Sequence, residues 1–144
     1  MIRTGVITGI SVSHTNASVD EIEAASCDDV TGRVSKLRGK PGVSEAFVIQ
    51  TCNRSEAYVV TDRAEQGRTA LAEITSEVRE GAVDHMDHEA SLRHLMRVAA
   101  GLESLVLGED QIIGQLKTAF ESSRAADGIG PLLDDAITKA IHVG

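Results

Sequence analysis

The run Thr51-Cys52-Asn53-Arg54 has the side chains of a reactive site. A thiolate is the nucleophilic form of cysteine, and a cation close by lowers the pKa of the thiol. Arg54 stands two residues after Cys52, in a polar break between the apolar stretches EAFVIQ (45–50) and EAYVVT (56–61). A break of that kind holds both groups at a surface. Thr51 and Asn53 add side chains that hydrogen-bond a substrate or an oxyanion. The same residues also read as a small apolar cysteine at a strand end followed by a solvated arginine, and spacing alone leaves both readings open.

His94 is the second candidate. It suits a base that deprotonates Cys52 or a donor that polarises a carbonyl. A lone helical histidine is also commonly a hydrogen-bonded structural group, and nothing in the spacing joins His94 to Cys52. Asp84-His85-Met86-Asp87-His88 has the residue types of a metal site. It falls where a strand gives way to a helix, however, and Asp87 is a natural N-cap there, so no metal is expected. Cys27 and Cys52, in a chain without a secretory signal, read as free thiols. Glycine-rich dinucleotide and phosphate-loop motifs are absent. Gly108-Glu109-Asp110-Gln111 opens a helix, but its two carboxylates oppose an anion.

These residues need elements to position them. Gly5–Val12 reads as a strand, and Ser18 with Glu21 is a capping box that starts a helix. A second helix covers Asp28–Leu37 and is ended by Gly39, Pro41 and Gly42. Strands over 45–50 and 56–61 form a hairpin or bulged turn around Cys52. Ala64–Arg79 reads as one polar surface helix, and Ala82–Met86 as a short strand. From Ala90 the chain is helical: Leu92, Leu95, Met96 and Ala99 share a face, with His94 and Val98 on another. Glu109–Arg124 and Leu132–Val143 are further helices, separated by Gly128, Gly130 and Pro131. The fold class expected is α+β, an antiparallel sheet with packed helices and a mostly helical second half.

Composition limits the function classes. The chain has 144 residues, 42% of them hydrophobic, which is enough for one domain with a core and excludes a disordered chain. No apolar run approaches the ~20 residues that cross a bilayer, so a cytoplasmic location is expected. The balance of 22 acidic against 14 basic residues gives a formal charge of −8, and only Lys36, Lys40, Lys117 and Lys139 are lysines. An acidic, lysine-poor chain suits high salt. That charge argues against binding nucleic acid by electrostatics alone, and three aromatics (Phe47, Tyr58, Phe120) make no stacking platform. Because residue 144 directly follows a helical stretch, a fragment of a longer protein is expected.

Taken together, VIQTCNRSEAYVV and HLMRVAAGLESLVLGEDQIIGQLKTAF, preceded by SVSHTNASVDEIE, resemble glutamyl-tRNA reductase, in register from about Gly9 onward. The resemblance implies that residues 1–144 are the N-terminal catalytic domain of an enzyme that also has NADPH-binding and dimerisation domains, both absent from this chain. It implies NADPH-dependent reduction of glutamyl-tRNA(Glu) to glutamate-1-semialdehyde, the first step of tetrapyrrole (porphyrin) biosynthesis. On this likeness Cys52 is the nucleophile that forms a glutamyl thioester, with His94 beside it. Arg54 pairs with the glutamate carboxylate, and Thr51, Ser104, Glu109 and Gln111 line the glutamate pocket. The implied partners are glutamyl-tRNA(Glu), a second copy of the full-length protein, and glutamate-1-semialdehyde aminomutase. A tRNA- or partner-binding module with an inert thiol, and a general cysteine hydrolase using Cys52 and His94, are the readings that compete with it.

Overall fold

The computed structural model describes residues 5–100 and 111–143. Strands β1 (Val6–Ser13), β2 (Glu45–Thr51), β3 (Arg54–Thr61) and β4 (Asp84–Met86) pair antiparallel in the order β2-β3-β1-β4. Side chains alternate across a strand, and here both faces are apolar. Ile7, Phe47, Ile49, Tyr58 and Val60 point into one core, while Ile10, Val12, Ala46, Val48, Ala57 and Val59 point into the other.

Each core is closed by its own helices. On the second, α1 (Val19–Ala24), α2 (Val30–Arg38) and α3 (Ala64–Leu71) contribute Ile22, Val34, Leu37, Ala70 and Leu71. On the first, α4 (His88–Ala99), α5 (Gln111–Ala125) and α6 (Pro131–Val143) contribute Leu95, Leu116, Leu133 and Ile137. The α+β class is as the sequence predicts. The added finding is that the first half of the chain covers one face of the sheet and the second half the other.

Three local expectations change. The predicted helix over 64–79 ends at Leu71, and 3-10 turns follow at Ala72–Thr75 and Glu80–Ala82. The fully buried positions Gly67, Ala70 and Leu71 all precede that break, and Thr75 and Ser76 are weak helix formers. Strand β3 begins at Arg54 rather than Glu56, which puts Arg54 inside the sheet. On α4 the buried residues are Ser91, Leu95, Val98 and Ala99, so Val98 belongs to the buried side and His94 lies between Ser91 and Val98 on the same side. This helix packs on both β1 and α6, and a helix with two neighbours buries more than one stripe. The Ser18–Glu21 capping box is present as predicted.

A sheet edge leaves unpaired backbone groups, and the connection from α5 to α6 covers the edge of β2. Ala46 N–H donates to the Gly128 carbonyl (2.8 Å) and Val48 N–H to Ser123 Oγ (3.3 Å). Residue 128 must be glycine, because a Cβ there would collide with the Ala46 carbonyl oxygen and the Val34 side chain. One step along, the buried Glu45 carboxylate accepts the N–H groups of Gly130 (2.9 Å), Leu132 (3.2 Å) and Leu133 (2.8 Å). These are orphan donors at the start of α6, where a negative charge is also favoured by the helix dipole. Glu45→Ala strands them in a buried position. It is expected to lower the unfolding free energy by about 3 kcal/mol, read by urea titration, with Glu45→Gln recovering part of the loss.

Candidate active site

Thr51 pairs with Arg54, so Cys52 and Asn53 form a two-residue hairpin loop. The tip is fixed from two sides. Asn53 N–H donates to Thr51 Oγ1 (3.1 Å), and the His14 N–H, just beyond β1, donates to the Asn53 carbonyl (3.0 Å). Cys52 is thereby held exposed at the tip, with Thr51 half-buried beside it. The reading of Cys52 as an apolar residue at a strand end does not hold. Cys27 is also a free thiol, bonded through Sγ to Gln50 Oε1 (3.2 Å).

Behind the tip, the two-residue period of β3 puts Arg54, Glu56 and Tyr58 on one face, toward α4. All three are buried. Arg54 is thus no solvated charge: it is buried and bonded to the Glu56 carboxylate. Glu56 is the centre of the cluster. Its Oε2 accepts from Ser11 Oγ (2.7 Å), Arg54 Nη1 (2.9 Å) and His94 Nε2 (2.7 Å), and its Oε1 accepts from the Tyr58 hydroxyl (2.7 Å). Burial by itself would raise the Glu56 carboxyl. The hydrogen bond and charge of His94, the charge of Arg54 and the Ser11 hydroxyl outweigh it, and the carboxyl falls from 4.5 to about 2. Glu56 is therefore ionised at neutral pH and only accepts. It follows that His94 carries its proton on Nε2, and that the ring is oriented by a buried carboxylate.

Of the residues picked from sequence, the structure brings Arg54 and His94 together through Glu56 and places Thr51 and Cys52 at the adjoining tip. Among the described residues the Cys52 thiol has no hydrogen-bond partner. Ser104 and Glu109 lie outside the described residues; Gln111 is the first residue of α5, and its side chain lies outside them too. Sequence reasoning missed Glu56, Ser11 and Tyr58. The signal was there for two of them, since Arg-x-Glu-x-Tyr at 54, 56 and 58 in a strand puts three polar groups on one face. Ser11 is supplied across the β1–β3 pair, where it faces Glu56 directly.

The acidic-histidine run at 84–88 is dispersed. Asp87 caps α4 by accepting from Ala90 N–H (2.9 Å), and His88 Nδ1 accepts from Ile7 N–H (3.0 Å). Asp84 meets Asn16, and His85 meets Glu80. Among the described residues no group of three metal-ligating side chains occurs, and no helix is long and apolar enough to cross a membrane.

A carboxyl with a depressed folded pKa stabilises the fold above its unfolded value, and that contribution is lost as pH falls through the folded value. The Glu56 contribution is expected in full above pH 4.5 and to disappear as pH falls through about 2. Glu56→Gln removes the buried negative charge that Arg54 and His94 face and is expected to cost about 3–5 kcal/mol at pH 7. Urea unfolding from pH 7 to pH 2 should show wild type and variant converging at the acid end. A constant gap would refute the assignment.

A family model described as "Glutamyl-tRNAGlu reductase, N-terminal domain" matches residues 10–144. The chain is 58% identical over 143 residues to a glutamyl-tRNA reductase of Haloquadratum walsbyi and 55% identical over 141 residues to one of Haloarcula marismortui. These alignments cover 99% and 98% of this chain but 32% of either relative, so the chain spans about a third of their length. Among solved structures, the glutamyl-tRNA reductase from Methanopyrus kandleri superposes with a TM-score of 0.77 at 25% identity, over 94% of this chain and 32% of that one. With the family model matching nearly the whole length, the chain belongs to the glutamyl-tRNA reductase family, of which it carries the N-terminal domain.

Proposed function

We propose that this chain carries the thioester-forming site of a glutamyl-tRNA reductase, an enzyme that opens tetrapyrrole biosynthesis by converting glutamyl-tRNA(Glu) to glutamate-1-semialdehyde. The observation that carries the reading is the exposed Cys52 thiol at a pinned hairpin tip, with Arg54 and His94 locked behind it by Glu56. Family membership supports glutamyl-tRNA as the substrate.

The chemistry follows from the residue types. The Cys52 thiolate attacks the ester carbonyl that joins glutamate to the tRNA ribose. The carbon–oxygen bond to ribose breaks, the ribose oxygen takes a proton, and glutamate stays on sulfur as a thioester. Arg54 carries a planar guanidinium of the kind that pairs with a carboxylate, and its bond to Glu56 fixes the orientation of that group on this reading. His94, held by Glu56, either takes the thiol proton or donates to the carbonyl oxygen. Thr51 has its hydroxyl proton available to the same oxygen, and Ser104, Glu109 and Gln111 complete the glutamate pocket on this reading.

NADPH would supply hydride to reduce the thioester to the aldehyde. The glycine pair that opens α6 does not fit a dinucleotide. A pyrophosphate needs glycines that open a cradle at a strand-to-helix turn, whereas the space a Cβ would occupy at Gly128 and Gly130 is filled by Ala46, Val34 and Glu45. The reduction is therefore assigned to a part of the protein outside these residues.

The buried orienter Glu56 also suits a general cysteine hydrolase, which would accept activated esters without preferring glutamate. Incubation with glutamyl-tRNA labelled in the glutamate, followed by acid trapping and peptide mapping, separates the readings. A glutamyl adduct on Cys52 is expected, absent in Cys52→Ser and formed about 10²–10⁴-fold more slowly in His94→Asn. No adduct on folded protein would overturn the proposal, and equal labelling by unrelated aminoacyl-tRNAs would favour the hydrolase. Alone with NADPH and glutamyl-tRNA, this chain is expected to release free glutamate by hydrolysis and to leave NADPH unoxidised. Steady loss of the NADPH absorbance would refute the division of labour.

A further inference from the structure

The two faces of the sheet divide the surroundings of Cys52. Arg54, Glu56 and His94 lie on the side covered by α4. On the opposite side a cavity of about 500 Å³ opens between α1 and the hairpin, with the Cys52 thiol in its wall. The buried anchor Ile22 and the exposed Val19 form its apolar part. Val19, at 72% exposure, is the one large hydrophobic side chain left open among the described residues. Its polar groups are Glu23 and Ser26 on the α1 side, which accept, and Gln50 and Thr51 at the end of β2. The Glu23 carboxylate has no partner among the described residues, and Ser26 Oγ spends its proton on the Ile22 carbonyl (2.7 Å), leaving its lone pairs to accept.

We infer that this cavity is a nucleoside site, and that it receives the 3′-terminal adenosine of the aminoacyl-tRNA. The inference rests on the thioester reading above. An acyl group and its leaving group lie on opposite sides of the carbonyl carbon that the thiolate attacks. With the glutamate directed to Arg54, the departing ribose is directed away from it, toward α1. The cavity suits what arrives there. A purine presents a flat apolar face to Val19 and Ile22, and its exocyclic amine and the free ribose hydroxyl are donors for Glu23 and Ser26. A carboxylate with no cation opposite it disfavours a phosphate at this point, which leaves the sugar and base as the part that enters. The site would explain how an acidic chain selects a tRNA ester, by holding the leaving group at the reacting carbon instead of attracting the polyanion at long range.

The test uses adenosine alone and two small esters. Titration with adenosine at millimolar concentration, followed by amide NMR, is expected to shift Val19, Ile22, Glu23, Ser26 and Cys52. Val19→Asp, at an exposed position in the first turn of α1 where an acid is tolerated, should abolish those shifts. In parallel, 2′(3′)-O-glutamyl-adenosine should acylate Cys52 about tenfold faster than glutamate α-methyl ester, and Val19→Asp should bring the ratio of the two rates close to one. Absent or scattered shifts, or a ratio that Val19→Asp leaves unchanged, would overturn the inference. If both esters label Cys52 at the same rate, the thioester reading stands and the nucleoside site falls. If neither labels it while adenosine still shifts these residues, the nucleoside site stands and the thioester reading falls.

Discussion

A carboxylate buried without water must be neutralised by its neighbours or take up a proton, and the centre of this domain is organised by how Glu56 meets that demand. It draws a hydroxyl from β1, a guanidinium from its own strand, a phenol two residues on and an imidazole from α4. The bonds from Ser11 and His94 tie β1 and α4 to β3, and those from Arg54 and Tyr58 order the side chains along β3 itself. The β1–β3 register is pinned where Ser11 faces Glu56, and α4 is fixed in rotation about its axis by His94. A one-residue slip of β3 would turn Glu56, together with Arg54 and Tyr58, toward α1–α3 and break the contacts to Ser11 and His94.

On the proposed thioester reading the same constraint serves chemistry. A histidine on a helix and a thiol in a turn have no intrinsic relation. Glu56 supplies one by fixing the ring and its protonated nitrogen on the same strand that carries the hairpin. The tip itself is held by backbone bonds from His14 and from Thr51. Rigid elements position a reactive group better than a free loop does, and a two-residue loop between paired strands leaves Cys52 little room to wander. Glu45 plays a parallel structural part at the other end of the hairpin, where its buried charge meets the first turn of α6 and helps close the edge of β2.

The charge of the whole chain fits this arrangement. On the proposed tRNA substrate, a domain of net charge −8 gains little from long-range attraction to the polyanion, and recognition falls to contacts close to the reacting bond. The two sides of Cys52 differ accordingly. One carries a cation held by a buried carboxylate; the other has an apolar wall with acceptors at its rim.

By itself the sequence determined the strands, the capping box at Ser18, the glycine break before α6 and the α+β class. These depend on local periodicity and on side chains that bond their own neighbours. It also singled out Cys52, Arg54 and His94, because thiol, guanidinium and imidazole are rare groups with distinctive chemistry. It did not decide which of them act together. Glu56 reads in sequence as one acid among 22 acidic residues, and only the tertiary structure, which brings His94 of α4 to it, makes it the buried partner of both Arg54 and His94. The run at 84–88 shows the converse: five residues adjacent in sequence are sent to separate partners by a strand end and a helix start. The early end of α3 and the buried Val98 have the same origin. Local propensity is short-ranged, whereas burial depends on which elements lie opposite, and that is settled only when the two halves of the chain close over the two faces of one sheet.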